Sequence, residues 1–212
     1  MIYFDRQIAD ARVAVWHVTE DYEDLLGLLP DAEAVQTEAE AQFRSEGRIM
    51  EWTAVRVLLC AMLGRQVHIE YTDDGAPRLP DYEGLHISIS HTRGYVAVAL
   101  SETKCVGIDV EQIEHSATPR VERVRSRFVR DDEMADSLVG LLLHWSAKEA
   151  AYKAIGRQGV DFKEELRIQP FDETQYEGQM QLDDLKEDET YTILYKVFDE
   201  FVLTFTQKEI ES

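Results

Sequence analysis

Two stretches of this chain repeat a pattern that limits its possible folds more than any other feature. "WTAVRVLLCAMLG" (52 to 64) and "WSAKEAAYKAIG" (145 to 156) share Trp-Thr/Ser-Ala at one end and a small-apolar-Gly ending. Each lies in a run with helical spacing. From about Ala34 to Leu63, Phe43, Ile49, Trp52, Val55, Leu58, Leu59 and Met62 recur at i, i+3 and i+4, with Gly64 as the stop. From about Ser137 to Ile155, Leu138, Leu141, Leu142, Trp145, Tyr152 and Ile155 do the same, stopping at Gly156. Strand-like runs surround them: "ARVAVWHV" (11 to 18), "QVHIEYT" (66 to 72), "HISISHT" (86 to 92), "YVAVALS" (95 to 101) and "CVGIDVEQ" (105 to 112). Later come "ELRIQ" (165 to 169), "TYTILYKVF" (190 to 198) and "EFVLTFTQ" (200 to 207). "TRGY" (92 to 95) and "FDEF" (198 to 201) read as hairpin connections.

This order predicts an α+β fold of two pseudo-symmetric lobes, each a long helix packed on a small, mainly antiparallel sheet, with the active-site cleft between them. The expected lobes are 1–104 and 105–212, joined as one compact pseudo-dimeric unit. A chain that builds both halves itself is expected to be a monomer.

A hydrophobic fraction of 44% suffices for a packed core. The apolar runs, such as "VLLCAML" (57 to 63), fall short of the roughly 20 residues that span a bilayer, so no membrane association is expected. The first residues lack the basic and apolar regions of a signal peptide, which predicts a cytoplasmic protein. Cys60 and Cys105 sit in apolar contexts and read as buried, reduced thiols. The net charge of −20 argues against nucleic-acid binding, which draws on Lys and Arg. That charge is uneven: residues 20 to 46 and 172 to 189 are strongly acidic. "PRVERVRSRFVR" (119 to 130) instead holds Arg120, Arg123, Arg125, Arg127 and Arg130 against Glu122 alone. Such an island is either a docking patch for an anionic partner or a solvated helix face.

The chemistry centres on "GIDVE". Asp109 and Glu111 fall on one face of a strand by its period of two. Like charges so placed need a cation between them. On the second helix, Trp145, Glu149 and Lys153 share a face at i, i+4 and i+8, although Glu149 and Lys153 alone would also read as an ordinary helical ion pair. Three carboxylates from one strand and one helix suit Mg²⁺, whose remaining positions go to water and phosphate oxygens. Lys148 and Lys153 would steady the phosphate. "SISHTRGY" (88 to 95) adds Ser90 and His91 at a strand end, and "DGAPRLP" (74 to 80) adds a turn edged by Arg78.

In this order the pieces resemble the 4′-phosphopantetheinyl transferases of the larger, Sfp-type class. The matching marks are "GAP" (75 to 77), "SISH" (88 to 91), "GIDVE" (107 to 111) and "WSAKEAAYK" (145 to 153). The resemblance spans roughly residues 75 to 156 and also implies a duplicated α+β unit. It implies transfer of the 4′-phosphopantetheine arm of coenzyme A to a serine of an apo acyl or peptidyl carrier protein, with release of 3′,5′-ADP. By position, Asp109, Glu111 and Glu149 would hold Mg²⁺, and Glu149 would help deprotonate the serine. Lys153 would stabilise the pyrophosphate, with Lys148 close by, and His91 would meet the 3′-phosphate beside Ser90. The family's turn often carries Lys where this chain has Ala76, and Arg78 is a candidate substitute. The basic residue that holds the 3′-phosphate from the first long helix is either Arg48 or Arg56. The carrier would dock near Arg120, Arg123, Arg125 and Arg127, since carrier proteins are typically acidic. Two other readings compete: a Mg-dependent pyrophosphate hydrolase acting on a nucleotide or coenzyme A, and a non-catalytic acidic binding module.

Overall fold

The computed structural model describes residues 1–113 and 119–210, with the side chains of Pro119 and Arg120 outside that description. The chain divides into two compact units, Met1–Thr103 and Lys104–Ser212. Both are α+β, and the strand pairings are antiparallel.

The first unit holds β1 (Ile2–Ile8), β2 (Ala11–His17), β5 (His86–Thr92) and β6 (Tyr95–Ser101), in the sheet order β1-β2-β6-β5. The turn from β5 to β6 runs through Gly94 at φ 79°, a left-handed value that a residue without Cβ adopts at no steric cost. Three helices follow β2: α1 (Tyr22–Gly27), α2 (Ala32–Gln42) and α3 (Glu46–Leu63). Helix α3 packs on β6 and β2, and Leu58, Leu59, Val55 and Trp52 join Val96, Val98 and Trp16 in one core. The single helix expected over Ala34–Leu63 is therefore two. Phe43 turns extended (φ −124°, ψ 150°) and Ser45 opens α3. The apolar spacing misleads here because Phe43 still packs on Trp52, with ring centroids 6.2 Å apart, from outside the helix. The strand expected over 66–72 shrinks to β3 (Glu70–Tyr71), paired with β4 (Pro77–Arg78).

The second unit holds β7 (Lys104–Gln112), β8 (Leu166–Ile168), β9 (Glu177–Asp184), β10 (Glu189–Val197) and β11 (Phe201–Glu209), in the order β7-β11-β10-β9-β8. Its helices are α4 (Pro119–Phe128) and α5 (Leu138–Ile155). Ser137 caps α5 by accepting from the Gly140 amide at 2.9 Å, and Gly156 ends it in the left-handed conformation at φ 68°. Helix α5 lies on β7 and β11. Strand β9 is absent from the sequence expectations because it lies in the acidic stretch 172 to 189. Its Asp183 is satisfied by Arg167 at 2.7 Å and by Gln169 and Thr190, each at 2.9 Å, so the charge stays inside the sheet. Among the described residues, no helix is long and apolar enough to cross a membrane.

Candidate functional site

Strand β7 is the edge of its sheet, and it carries Asp109 (4% exposed) and Glu111 (8%) on the face that α5 covers. Gly107, two residues earlier on that face, explains how the helix comes so near. A Cβ there would stand 1.8 Å from the Ala150 carbonyl oxygen and 2.8 Å from its carbon. The helix answers with small residues, since Ala147, Ala150, Ala151 and Ala154 are all buried. One further tie sets the spacing: Ser146 and Thr204, the β11 partner of Asp109, share a hydrogen bond of 2.8 Å in full burial.

The close approach brings two of the expected helix residues to the strand. Lys153 Nζ donates to Asp109 Oδ1 at 2.8 Å and to the Ile108 carbonyl at 2.9 Å. Glu149 is half-buried, and its carboxyl is pushed above the usual carboxylate range by burial first and by the Asp109 charge second. Lys153, a hydrogen bond from the Trp145 side chain and the charge of Arg127 each pull it back. The alternative of a plain helical pair between Glu149 and Lys153 thus gives way to a pairing across elements, in which Lys153 answers Asp109.

Oxygen donors of this kind fit a hard divalent cation. Asp109 is close enough to raise the cost of ionising Glu149, and Glu111 lies two residues along β7 on the Asp109 face. In this structure Lys153 supplies the compensating charge. Among the described residues, no group of three or more His, Cys, Asp or Glu side chains is gathered to hold a metal.

Lys148, expected near the phosphate, has a different task. It is fully buried, donating to the Phe128 carbonyl at 2.6 Å and to Glu133 Oε2 at 2.9 Å. Glu133 in turn accepts from the backbone of Arg130 at 2.7 Å and of Ile168 at 2.5 Å. Lys148 fastens the end of α4 to α5. Sequence reasoning missed Glu133 because nothing in "DDEM" distinguishes one acid from its neighbours.

Helix α4 buries Val124 and Phe128 and turns Arg123 and Arg127 to solvent, with Arg125 half-buried. Arg130 is committed elsewhere, donating to the Lys163 and Glu164 carbonyls at 2.9 Å each and to Asp132 at 2.9 Å. The Arg120 side chain lies outside the described residues.

In the first unit, a cavity of about 370 Å³ is lined by Arg48, Glu51, Arg56, Tyr71, Gly75 and His91 among others. The two arginines left as alternatives both face it. Arg48 is largely exposed and lies 3.3 Å from His91 Nε2. Arg56 is 4% exposed, with its guanidinium carbon 3.0 Å from the Trp52 ring centre. Burial draws Arg56 down to about 10, against the Glu38 charge and Tyr71. Ser90 is buried on β5 opposite Ala97, and Arg78 is exposed and paired with Glu70 at 2.5 Å. Sequence reasoning also missed Glu51, although its i+3 spacing from Arg48 was a usable signal.

The edge strand of an antiparallel sheet thus brings the buried Asp109 to Lys153 and Glu149 on one helix. Residues 105–206, just under half of the chain, match the family described as the 4′-phosphopantetheinyl transferase superfamily. The chain is also 31% identical over 135 residues to the 4′-phosphopantetheinyl transferase HetI of Nostoc sp.. That alignment covers 55% of this chain and 56% of that protein, so the chain spans little more than half of its curated relative's length.

Proposed function

We propose that this chain is a 4′-phosphopantetheinyl transferase of the Sfp-type class, moving the phosphopantetheine arm of coenzyme A to a serine of an apo carrier protein. The observation that carries the reading is the meeting of Asp109, Glu149 and Lys153 inside the segment that matches the superfamily.

The residues then divide the work. Glu149, with its raised proton affinity, accepts the serine hydroxyl proton. The serine oxygen attacks the phosphorus that bears the pantetheine arm, and the bond from that phosphorus to the bridging oxygen breaks. 3′,5′-ADP leaves with the electron pair. Lys153 offsets negative charge that develops beside the carboxylates. Asp109, Glu111 and Glu149 would hold Mg²⁺, which when bound supplies charge neutralisation at the pyrophosphate. The cavity of Arg48 and His91 would take the 3′-phosphate end of coenzyme A, with Arg56 deeper. Arg123, Arg125 and Arg127 would receive an acidic carrier.

The test is to incubate the protein with coenzyme A, Mg²⁺ and an apo carrier protein, then to weigh the carrier. A mass gain of one phosphopantetheine arm, dependent on metal, is expected. No gain with several unrelated carriers overturns the reading, and coenzyme A breakdown without labelling points to a hydrolase instead.

A further inference from the structure

The first-unit cavity holds an acid at the place where an anion would bind. Arg48 and Glu51 are one turn apart on α3, and His91 reaches them from the end of β5. Glu51 Oε2 is buried, lying 3.5 Å from Arg48 Nη1 and 3.3 Å from His91 Nδ1. Arg48 Nη1 also lies 3.3 Å from His91 Nε2, so the three side chains close on one another. The two groups best placed to grip a phosphate therefore already share a carboxylate. The buried cation Arg56, deeper on this cavity, is tied to Glu38 and to the Trp52 carbonyl.

We infer that Glu51 is a built-in competitor for the phosphate monoester of the nucleotide, setting how tightly the cavity holds it. A phosphate that engages Arg48 and His91 must take over contacts that Glu51 makes, and its charge then lies beside that carboxylate. Like charges a few ångströms apart at a protein surface repel one another. The penalty falls on any ligand with a phosphate at this point, including the product 3′,5′-ADP, and so speeds its departure after transfer. A ligand without that phosphate leaves the Arg48–Glu51–His91 contacts as they are. This inference rests on reading the cavity as the nucleotide site.

Calorimetric titration separates the two ideas. Wild type, Glu51→Gln and Arg48→Ala are each titrated with 3′,5′-ADP and with 5′-AMP, which lacks the 3′-phosphate. Glu51→Gln is expected to bind 3′,5′-ADP about tenfold more tightly, with 5′-AMP unchanged. Unchanged or weaker 3′,5′-ADP binding by Glu51→Gln overturns the competitor role. So does equal tightening of both nucleotides, because the effect would then not act through the phosphate. If Arg48→Ala binds 3′,5′-ADP as wild type does, or wild type binds none, the nucleotide reading of the cavity falls first and the inference with it.

Discussion

The strand residue Gly107 and the helix residue Ala150 are so close that no side chain fits between them: a Cβ on Gly107 would stand 1.8 Å from the Ala150 carbonyl oxygen. The obstacle is backbone, which cannot rotate away. Gly107→Ala is expected to lift α5 from β7, cost about 3 kcal/mol in urea unfolding and lower transfer at least tenfold. Wild-type stability and rate in this variant would show that the contact does not hold the site together.

Asp109 and Lys153 form a pair of which one member is buried and the other is about a quarter exposed. Removing either alone strands a charge, while removing both does not. Lys153→Met and Asp109→Asn are each expected to destabilise by about 2 kcal/mol, and the double variant by much less than their sum. Additive losses in that cycle would contradict a direct pairing.

Lys148 and Glu133 make a second, deeper pair at 2.9 Å. Lys148→Met leaves Glu133 buried without its counter-charge and is expected to cost about 3 to 5 kcal/mol. In the protein that still folds, the KM for coenzyme A should stay within about twofold while the KM for the carrier rises, because α4 loses its anchor. A selective rise in the coenzyme A KM would return Lys148 to the coenzyme.

Charge reversal at Arg123 and Arg127 tests the docking surface. Both side chains are exposed on α4, so their replacement by Glu should leave unfolding within about 0.5 kcal/mol of wild type. Carrier KM should rise about tenfold or more at low salt, with coenzyme A binding unaffected. Equal loss of both would show damage to the fold or site instead.

Asp183 sets an acid limit on the second unit. Burial pushes its carboxyl up, but Arg167, Gln169 and Thr190 together outweigh that and hold it below the ordinary value. A depressed carboxylate contributes stability that is present above its unfolded pKa and lost as pH falls through the folded one. Wild type should therefore lose stability below about pH 4, and Asp183→Asn, already weaker by about 2 kcal/mol at pH 7, should lose less. Parallel pH profiles would show that Asp183 is not responsible.

The elements that carry the candidate site are the easiest to read. "GIDVE" alternates cleanly and "WSAKEAAYK" keeps its period, so β7 and α5 stand where residues alone place them. Strand β9 was hidden because Glu177, Asp183 and Asp184 look like solvated loop until Arg167 and Arg157 are seen to answer the buried pair. The edge strand β1 was hidden for the opposite reason, as it is largely exposed and carries no one-sided apolar pattern. Lys148 shows where residue type misleads. Beside Glu149 it reads as a phosphate ligand, and only its contact with Glu133, 15 positions earlier, reveals a structural lysine.

Lys148 and Glu149 are consecutive on α5, yet one reaches the end of the arginine-bearing helix and the other lies within reach of the Asp109 charge on the strand. A single peptide unit thus separates the proposed landing surface from the proposed base. Landing gear and tool are bolted to one rod. A carrier seated on α4 would have its serine presented to a base whose position was set when the helix folded, without any search by a hinge or lid. Alignment of the acceptor would then be a property of the scaffold, inherited by every carrier that can sit on the arginines.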